Sequence, residues 1–242
     1  MSRSAPLPSL SEATFLRIIT NEDSDAAARF LASFPRRLKP IAREGKRAFD
    51  AVAKMGSRLA DVERSHTVYL FMHAAMNTVV SSTHLLVIGY PLVSGHLMRQ
   101  FGEATTMALL CTDSESGVLE EFDSLQDKYP VHRCFSKLDG KVAARLSKLI
   151  GFNPNKWSTF VQLTRFYNRF SHSSAFSRAF HVRIDEPGVI VVGPDFDPGK
   201  RRQLSIELRR RRSALKTIVR LANALGKALP QGARRRRDRS AT

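Results

Sequence analysis

The chain has 242 residues, of which 43% are hydrophobic and 25% charged, the composition of a globular protein with a real core. Its two cysteines lie far apart and form no CxxC pattern, so nothing indicates a zinc knuckle or an oxidising compartment. From Lys200 onward, 15 Lys and Arg against two acidic residues give +13, so the net charge of +17 leaves only +4 for residues 1–199.

The N-terminal region predicts short helices and no export signal. It lacks the apolar core of a signal peptide, so we expect a cytoplasmic protein. Ser9 and Glu12 fit a capping box, and a second helix is predicted from Asp25 to Ser33. Basic residues cluster over 36–47, a pattern typical of a solvated helix face. Residues 1–60 are predicted to be an N-terminal helical segment that packs on the core.

A charge-poor stretch follows, from Ser65 to Thr112. It contains only two formal charges, Arg99 and Glu103, one helical turn apart. The pattern predicts two buried helices broken at Gly89-Tyr90-Pro91. A membrane span is disfavoured because polar residues and this break leave no run of about 18 apolar residues. The lone ion pair is either a structural tie or the inner wall of a site.

Three histidines of this stretch invite a metal interpretation. His66, His73 and His84 are spaced by 7 and 11 residues and share one side of the predicted helix. Seven residues correspond to roughly 10 Å along a helix axis, which is too far for one shared ion. The sequence therefore predicts no metal site and no cofactor. A polar stripe facing neighbouring helices or a partner subunit is the better interpretation.

The rest of the chain predicts further helices and one small hairpin. Helices are predicted over His132–Ile150 and from Trp157 to about Ser174. Alternating apolar residues at 180–192 predict a β-hairpin. In the last helix, Arg211 is the one interruption of a leucine-rich stripe, either snorkelling or facing a cleft.

The expected fold is therefore all-α, a multi-helix bundle with a small appended β-hairpin. Residues 61–229 are predicted to form the bundle core with its hairpin. Residues 230–242 are predicted to be a disordered Arg-rich tail.

The helix from Trp157 carries a candidate active site on its polar side. Two guanidinium groups, an amide and an imidazole fall within a sector of about 100°; they are Arg165, Asn168, Arg169 and His172. Arginine and histidine held together suit metal-independent cleavage of RNA. Histidine can serve as the general acid or base, and arginine can stabilise the negative transition state.

These motifs resemble the HEPN superfamily of helical bundles, in which an Arg is followed by four to six residues and then a His. Here six residues separate Arg165 from His172. The chain also resembles bacterial relatives of that superfamily, which carry Arg-x3-Glu, then a Tyr-Asn and Ser-His segment, then a hairpin. Arg99–Glu103, Tyr167–His172 and 180–192 match that order. The resemblance covers roughly 65–229, although Phe166 stands where these ribonucleases usually have a polar residue.

The resemblance implies a metal-independent endoribonuclease of a bacterial defence or toxin–antitoxin type. His172 would be the acid or base, Arg165 or Arg169 would stabilise charge, and Asn168 would orient the substrate. Arg99 and Glu103 would support this site. The resemblance also implies a homodimer and a cognate antitoxin or regulatory protein as partners.

A non-catalytic helical module is the alternative. It would bind nucleic acid or a protein partner through the basic C-terminal end. An Arg-rich solvated face with a solubilising tail would have the same composition. The residues expected to bind nucleic acid are Arg209, Arg210, Arg212, Arg234, Arg235, Arg236 and Arg237.

Overall fold

Helices dominate the structure, a computed structural model that describes residues 11–13, 16, 25–125, 128–138, 140–151, 153–171, 175–186 and 194–231. The predicted all-α class is confirmed. In chain order the α-helices are α1 (Asp25–Ser33), α2 (Pro35–Gly56), α3 (Glu63–Val87), α4 (Pro91–Thr112), α5 (Val118–Leu125), α6 (Cys134–Lys137), α7 (Gly140–Ile150), α8 (Pro154–Ser171), α9 (Ala175–Arg178) and α10 (Arg201–Ala228).

The charge-poor stretch forms the helical hairpin of α3 and α4, as predicted. The turn uses Gly89 at φ 92°, and Pro91 begins α4. Two buried serines, one on each helix, then join α3 to α4 through reciprocal hydrogen bonds. The Ser82 hydroxyl donates to the Ser94 carbonyl at 2.7 Å, and the Ser94 hydroxyl donates to the Ser82 carbonyl at 2.6 Å. Among the helices described, none combines the length and the apolar character that crossing a membrane would need.

Helix α4 also packs closely on α8 because glycines open its surface there. A Cβ added at Gly95 would overlap the ring of Phe170, and one added at Gly102 would overlap the Thr164 side chain. The aromatic edge contact between Phe101 and Phe160, at 5.6 Å between ring centroids, extends the same interface. This close approach fixes which side of α8 is buried.

Helices α2 and α10 lie side by side and run in the same direction. Arg201 sits over the Phe34 ring at one end, and Met55 lies next to Gly226 at the other. Beyond the helices, the Ala60 amide donates to the Pro230 carbonyl at 2.9 Å. The first and last long helices of the described chain therefore share one surface.

The predicted β-hairpin at 180–192 is not found in the described part of that range. Ala179–His181 forms a 3₁₀ turn instead, while 187–192 lies outside the described residues. The described backbone here bonds to the segment before α10. The Asp197 carboxylate accepts from the Ile184 amide at 2.8 Å, and the Lys200 ammonium donates to the Val182 carbonyl at 2.6 Å.

One predicted helix is divided. The segment His132–Ile150 contains a 3₁₀ turn at Val131–Arg133, then α6, then α7. The backbone leaves helical geometry at Leu138, with φ −85° and ψ 61°. The apolar periodicity that predicted one helix therefore extends over two short helices.

Candidate nucleic-acid interface

The three described members of the predicted catalytic set lie on the solvent side of α8. Arg165 and Arg169 are exposed and Asn168 is partly buried. The Arg169 guanidinium lies 5.8 Å from the centroid of the Phe166 ring. His172 lies outside the described residues, so its proposed role as acid or base stays a prediction.

The opposite side of α8 explains this placement. Tyr167 and Phe170 are 1% and 5% exposed, because they fill the space between α8 and its neighbours. Their burial turns the arginines of the helix toward water. The polar sector inferred from helical periodicity is thus present for the residues that the structure describes.

The predicted supporting pair, Arg99 and Glu103, is a direct ion pair within α4. The Arg99 Nε lies 2.9 Å from the Glu103 Oε1, with side chains 22% and 14% exposed. No hydrogen bond or ion pair of the described residues joins either member to Arg165. The pair is largely withdrawn from solvent, with both side chains less than a quarter exposed.

A second ionic cluster lies deeper and is centred on Arg211. This side chain is 0% exposed, and Glu207, one turn earlier on α10, is 2% exposed. The Arg211 Nη1 donates to the Glu207 Oε2 at 2.9 Å, and the Tyr167 hydroxyl donates to the same oxygen at 2.8 Å. The Arg211 Nη2 donates to the Ser94 hydroxyl. One buried guanidinium thereby connects α10, α8 and the α3–α4 hairpin.

The cluster sets the ionisation of its members. Burial opposes the charged form of Glu207, but Arg211 and the other donors around it outweigh this effect and hold its pKa below the ordinary 4.5. Burial, reinforced by the negative charge of Glu207, raises the pKa of Tyr167. Arg211 Nε has no hydrogen-bond partner among the described residues. Because the ion pair is intact and enclosed, the cluster is suited to holding helices together.

Exposed basic residues are concentrated at a different place, along the surface that α2 and α10 share. Successive cations on α10 are seven, seven, four and seven residues apart and fall within a sector of about 40°; they are Arg202, Arg209, Lys216, Arg220 and Lys227, all exposed. Helix α2 contributes a parallel row. We call these residues of the two helices the basic face; its members are Arg36, Arg37, Arg43, Arg47, Arg201, Arg202, Arg209, Arg212, Lys216, Arg220 and Lys227.

The basic face deepens at one end into a groove of about 650 Å³ between the first turns of α2 and α10. Five arginines line it, which we call the arginine recess: Arg36, Arg37, Arg201, Arg202 and Arg209. No acidic residue is part of its described lining. Arg201 is positioned by a hydrogen bond from its Nη2 to the Ser33 carbonyl at 3.2 Å.

The predicted nucleic-acid-binding arginines divide into three groups. Arg209 and Arg212 belong to the basic face. Arg210 is instead held by Glu207 at 2.6 Å and stacks 4.1 Å from the centroid of the Phe166 ring. Residues 234–237 lie outside the described residues.

Arg36 and Arg37 are the contribution that sequence reasoning missed. The basic cluster around them is typical of a solvated helix face, and both are indeed exposed. Their significance comes from lying next to α10, and nothing in the local sequence around 36–37 signals that neighbour.

The described residues indicate neither a metal site nor a reactive thiol. Among the described residues, no group of three or more His, Cys, Asp or Glu side chains is arranged to hold a metal ion. Both cysteines are buried, and burial raises the pKa of Cys111 and of Cys134 to about 12. Their thiols therefore remain protonated at neutral pH.

Comparison with known proteins identifies no relative. No family model, curated protein or solved structure matches this chain. The similarity to HEPN proteins therefore stays a prediction, and the chemistry of the surface has to be inferred from its own geometry.

Proposed function

We propose that this protein binds the phosphate backbone of nucleic acid along its basic face. RNA is the expected ligand, because the motifs of the chain resemble those of RNA-cleaving proteins. The observation that carries the proposal is the arginine recess, which gathers five guanidinium groups without an acidic residue in its described lining.

The chemistry of arginine fits this role. A guanidinium group presents a planar fork of donors that matches phosphate oxygens, and it keeps its charge at any physiological pH. The row on α10 from Arg202 to Lys227 extends for about 38 Å at 1.5 Å per residue. A backbone lying along it would meet several cations in succession, and such contacts provide affinity without base specificity.

The test is RNA binding by the full chain, measured by fluorescence anisotropy with a labelled single-stranded RNA. Substituting Arg36, Arg202 and Arg209 by Gln removes three charges from the recess. None of the three has an ion pair among the described residues, so the fold should be unaffected. Because each of these charges is expected to neutralise a phosphate, the variant should bind roughly tenfold more weakly, or weaker still, at low salt.

The matched control removes three charges outside the basic face. Arg133, Lys141 and Lys148 are exposed and also lack ion pairs among the described residues. Their triple Gln variant has the same net charge as the recess variant. An equal fall in affinity for both variants would show that only the total charge matters, and the proposed interface would be wrong.

Cleavage of the bound RNA is a second candidate. It is favoured by the joint exposure of Arg165 and Arg169 on one side of α8. This second proposal includes a HEPN-like bundle, a homodimer and an antitoxin as partner. It requires His172→Ala to abolish cleavage that the wild type performs in the presence of a chelator. Intact RNA in that wild-type reaction would end the catalytic proposal and leave binding unaffected.

A further inference from the structure

The arginine recess gathers guanidinium groups that have no carboxylate partner among the described residues. Farther along the face, Glu44 lies between the two helices, 3.6 Å from Arg47 and 3.8 Å from Arg212. Lys46 is likewise paired with Asp50 at 2.6 Å. Two members of the basic face, Arg47 and Arg212, therefore already have a carboxylate partner.

No such partner is present in the recess. The side chains of Arg36, Arg37, Arg202 and Arg209 make no ion pair or hydrogen bond with any residue that the structure describes, although all four line the same groove. The fifth, Arg201, bonds only to a backbone carbonyl and lies 5.9 Å from the centroid of the Phe34 ring. Five guanidinium groups without a described carboxylate partner are thus gathered in one concave place.

The location of the recess is the second observation. It lies at the first turns of α2 and α10, so the row of cations on α10 begins there and runs away in one direction toward Lys227. A strand that ends in the recess can therefore lay its backbone along this row. An internal phosphodiester has a single negative charge, whereas a terminal phosphomonoester has about −1.5 to −2 at neutral pH and three strong acceptor oxygens.

We propose that the arginine recess binds the terminal phosphomonoester of an RNA strand whose backbone follows the basic face. This proposal rests on the proposed function and adds a preference for phosphorylated ends. The groove, at about 650 Å³, is large enough for a terminal nucleotide as well as its phosphate, since small-ligand sites occupy roughly 300–1,000 Å³. Several guanidinium groups can engage one phosphate through paired hydrogen bonds.

The experiment compares RNAs of one sequence that differ only at their ends. Strands with a 5′-phosphate, a 3′-phosphate or hydroxyls at both ends are bound to the full chain at the same ionic strength. A label is placed away from the end under comparison. We expect one phosphorylated end to bind roughly tenfold more tightly than the hydroxyl strand, and the two phosphorylated strands identify which end enters the recess. Competition by adenosine 5′-monophosphate shows whether a free mononucleotide is also accepted.

Two variants locate the preference. Arg36→Gln with Arg202→Gln should abolish the difference between phosphorylated and hydroxyl strands. Lys216→Gln with Arg220→Gln, on the far part of the same face, should weaken all strands and preserve the ratio. Circular dichroism checks that each variant is folded, and Arg36→Lys with Arg202→Lys is the charge-conserving comparison, expected to keep part of the preference.

The outcomes separate this inference from the proposed function. Equal binding of phosphorylated and hydroxyl strands by the wild type would overturn the inference while leaving backbone binding intact. A preference that survives the Arg36 and Arg202 substitutions would also overturn it. If no strand binds at all, the proposed function fails first, and the inference fails with it.

Discussion

At the scale of single residues, the buried pair of Arg211 and Glu207 is the feature from which we expect a large effect on stability. Sequence periodicity identified Arg211 as an anomaly, because it interrupts the apolar stripe of α10. Ser94, which accepts from Arg211, and Tyr167, which donates to Glu207, could not be predicted. They are 117 and 40 positions away from these partners and meet them only through tertiary packing. Enclosed ion pairs of this kind are costly to break and are worth less in total than their contacts suggest.

Removing one member of the pair should therefore destabilise the fold. Arg211→Ala leaves Glu207 charged, enclosed and without its main partner, and we expect the free energy of unfolding to fall by about 3–5 kcal/mol. Arg211→Met with Glu207→Gln should recover part of this stability, because it removes both charges. Urea denaturation measures both variants. A cost below about 1 kcal/mol for the alanine variant would show that the pair does not stabilise the native state.

The same pair predicts how stability changes in acid. The folded-state pKa of Glu207 is lowered below 4.5, so its contribution is fully present above that value and is lost as pH falls through the folded pKa. Replacing Glu207 by Gln should make the free energy of unfolding less dependent on pH below about 4.5. Urea midpoints measured between pH 3 and pH 7 test this. Parallel curves for variant and wild type would contradict the ionised state assigned here.

At the scale of elements, local signals predicted helices better than they predicted helix partners. The break at Gly89 and Pro91 and the amphipathic character of α8 were both visible in the sequence. The hairpin predicted at 180–192 is not found in its described part, where the Ile184 amide and the Val182 carbonyl bond to Asp197 and Lys200. The second half of that range lies outside the described residues. The parallel contact of α2 with α10 has no local signature, and the recess depends on it.

The close contact of α4 with α8 gives a prediction at this scale. Gly95→Ala would place a methyl group in the space of the Phe170 ring, and we expect the free energy of unfolding to fall by about 1–3 kcal/mol from overpacking. Gly140→Ala is the matched control, because a Cβ there meets nothing within 4 Å. Thermal denaturation should show a lower midpoint only for the first variant. Equal midpoints would mean that the helices separate at little cost.

At the scale of the whole molecule, the distribution of charge matters more for the proposed binding of nucleic acid than the total of +17 does. Composition correctly placed the excess at the C-terminal end, and α10 displays it on one exposed side. The face is nevertheless shared, since Arg36 and Arg37 join the recess from the other end of the chain. Only the folded structure combines these two segments into one electrostatic surface.

The most direct test of the proposed function is the salt dependence of RNA binding. Each phosphate neutralised on a single strand contributes about −0.7 to the slope of log K against log salt concentration, so five contacts predict a slope of about −3.5. The Gln variant at Arg36, Arg202 and Arg209 should reduce its magnitude by about 2. The variant at Arg133, Lys141 and Lys148 should leave it unchanged. A recess variant with the wild-type slope, or wild-type binding that is independent of salt, would contradict the assignment of the basic face as the nucleic-acid interface.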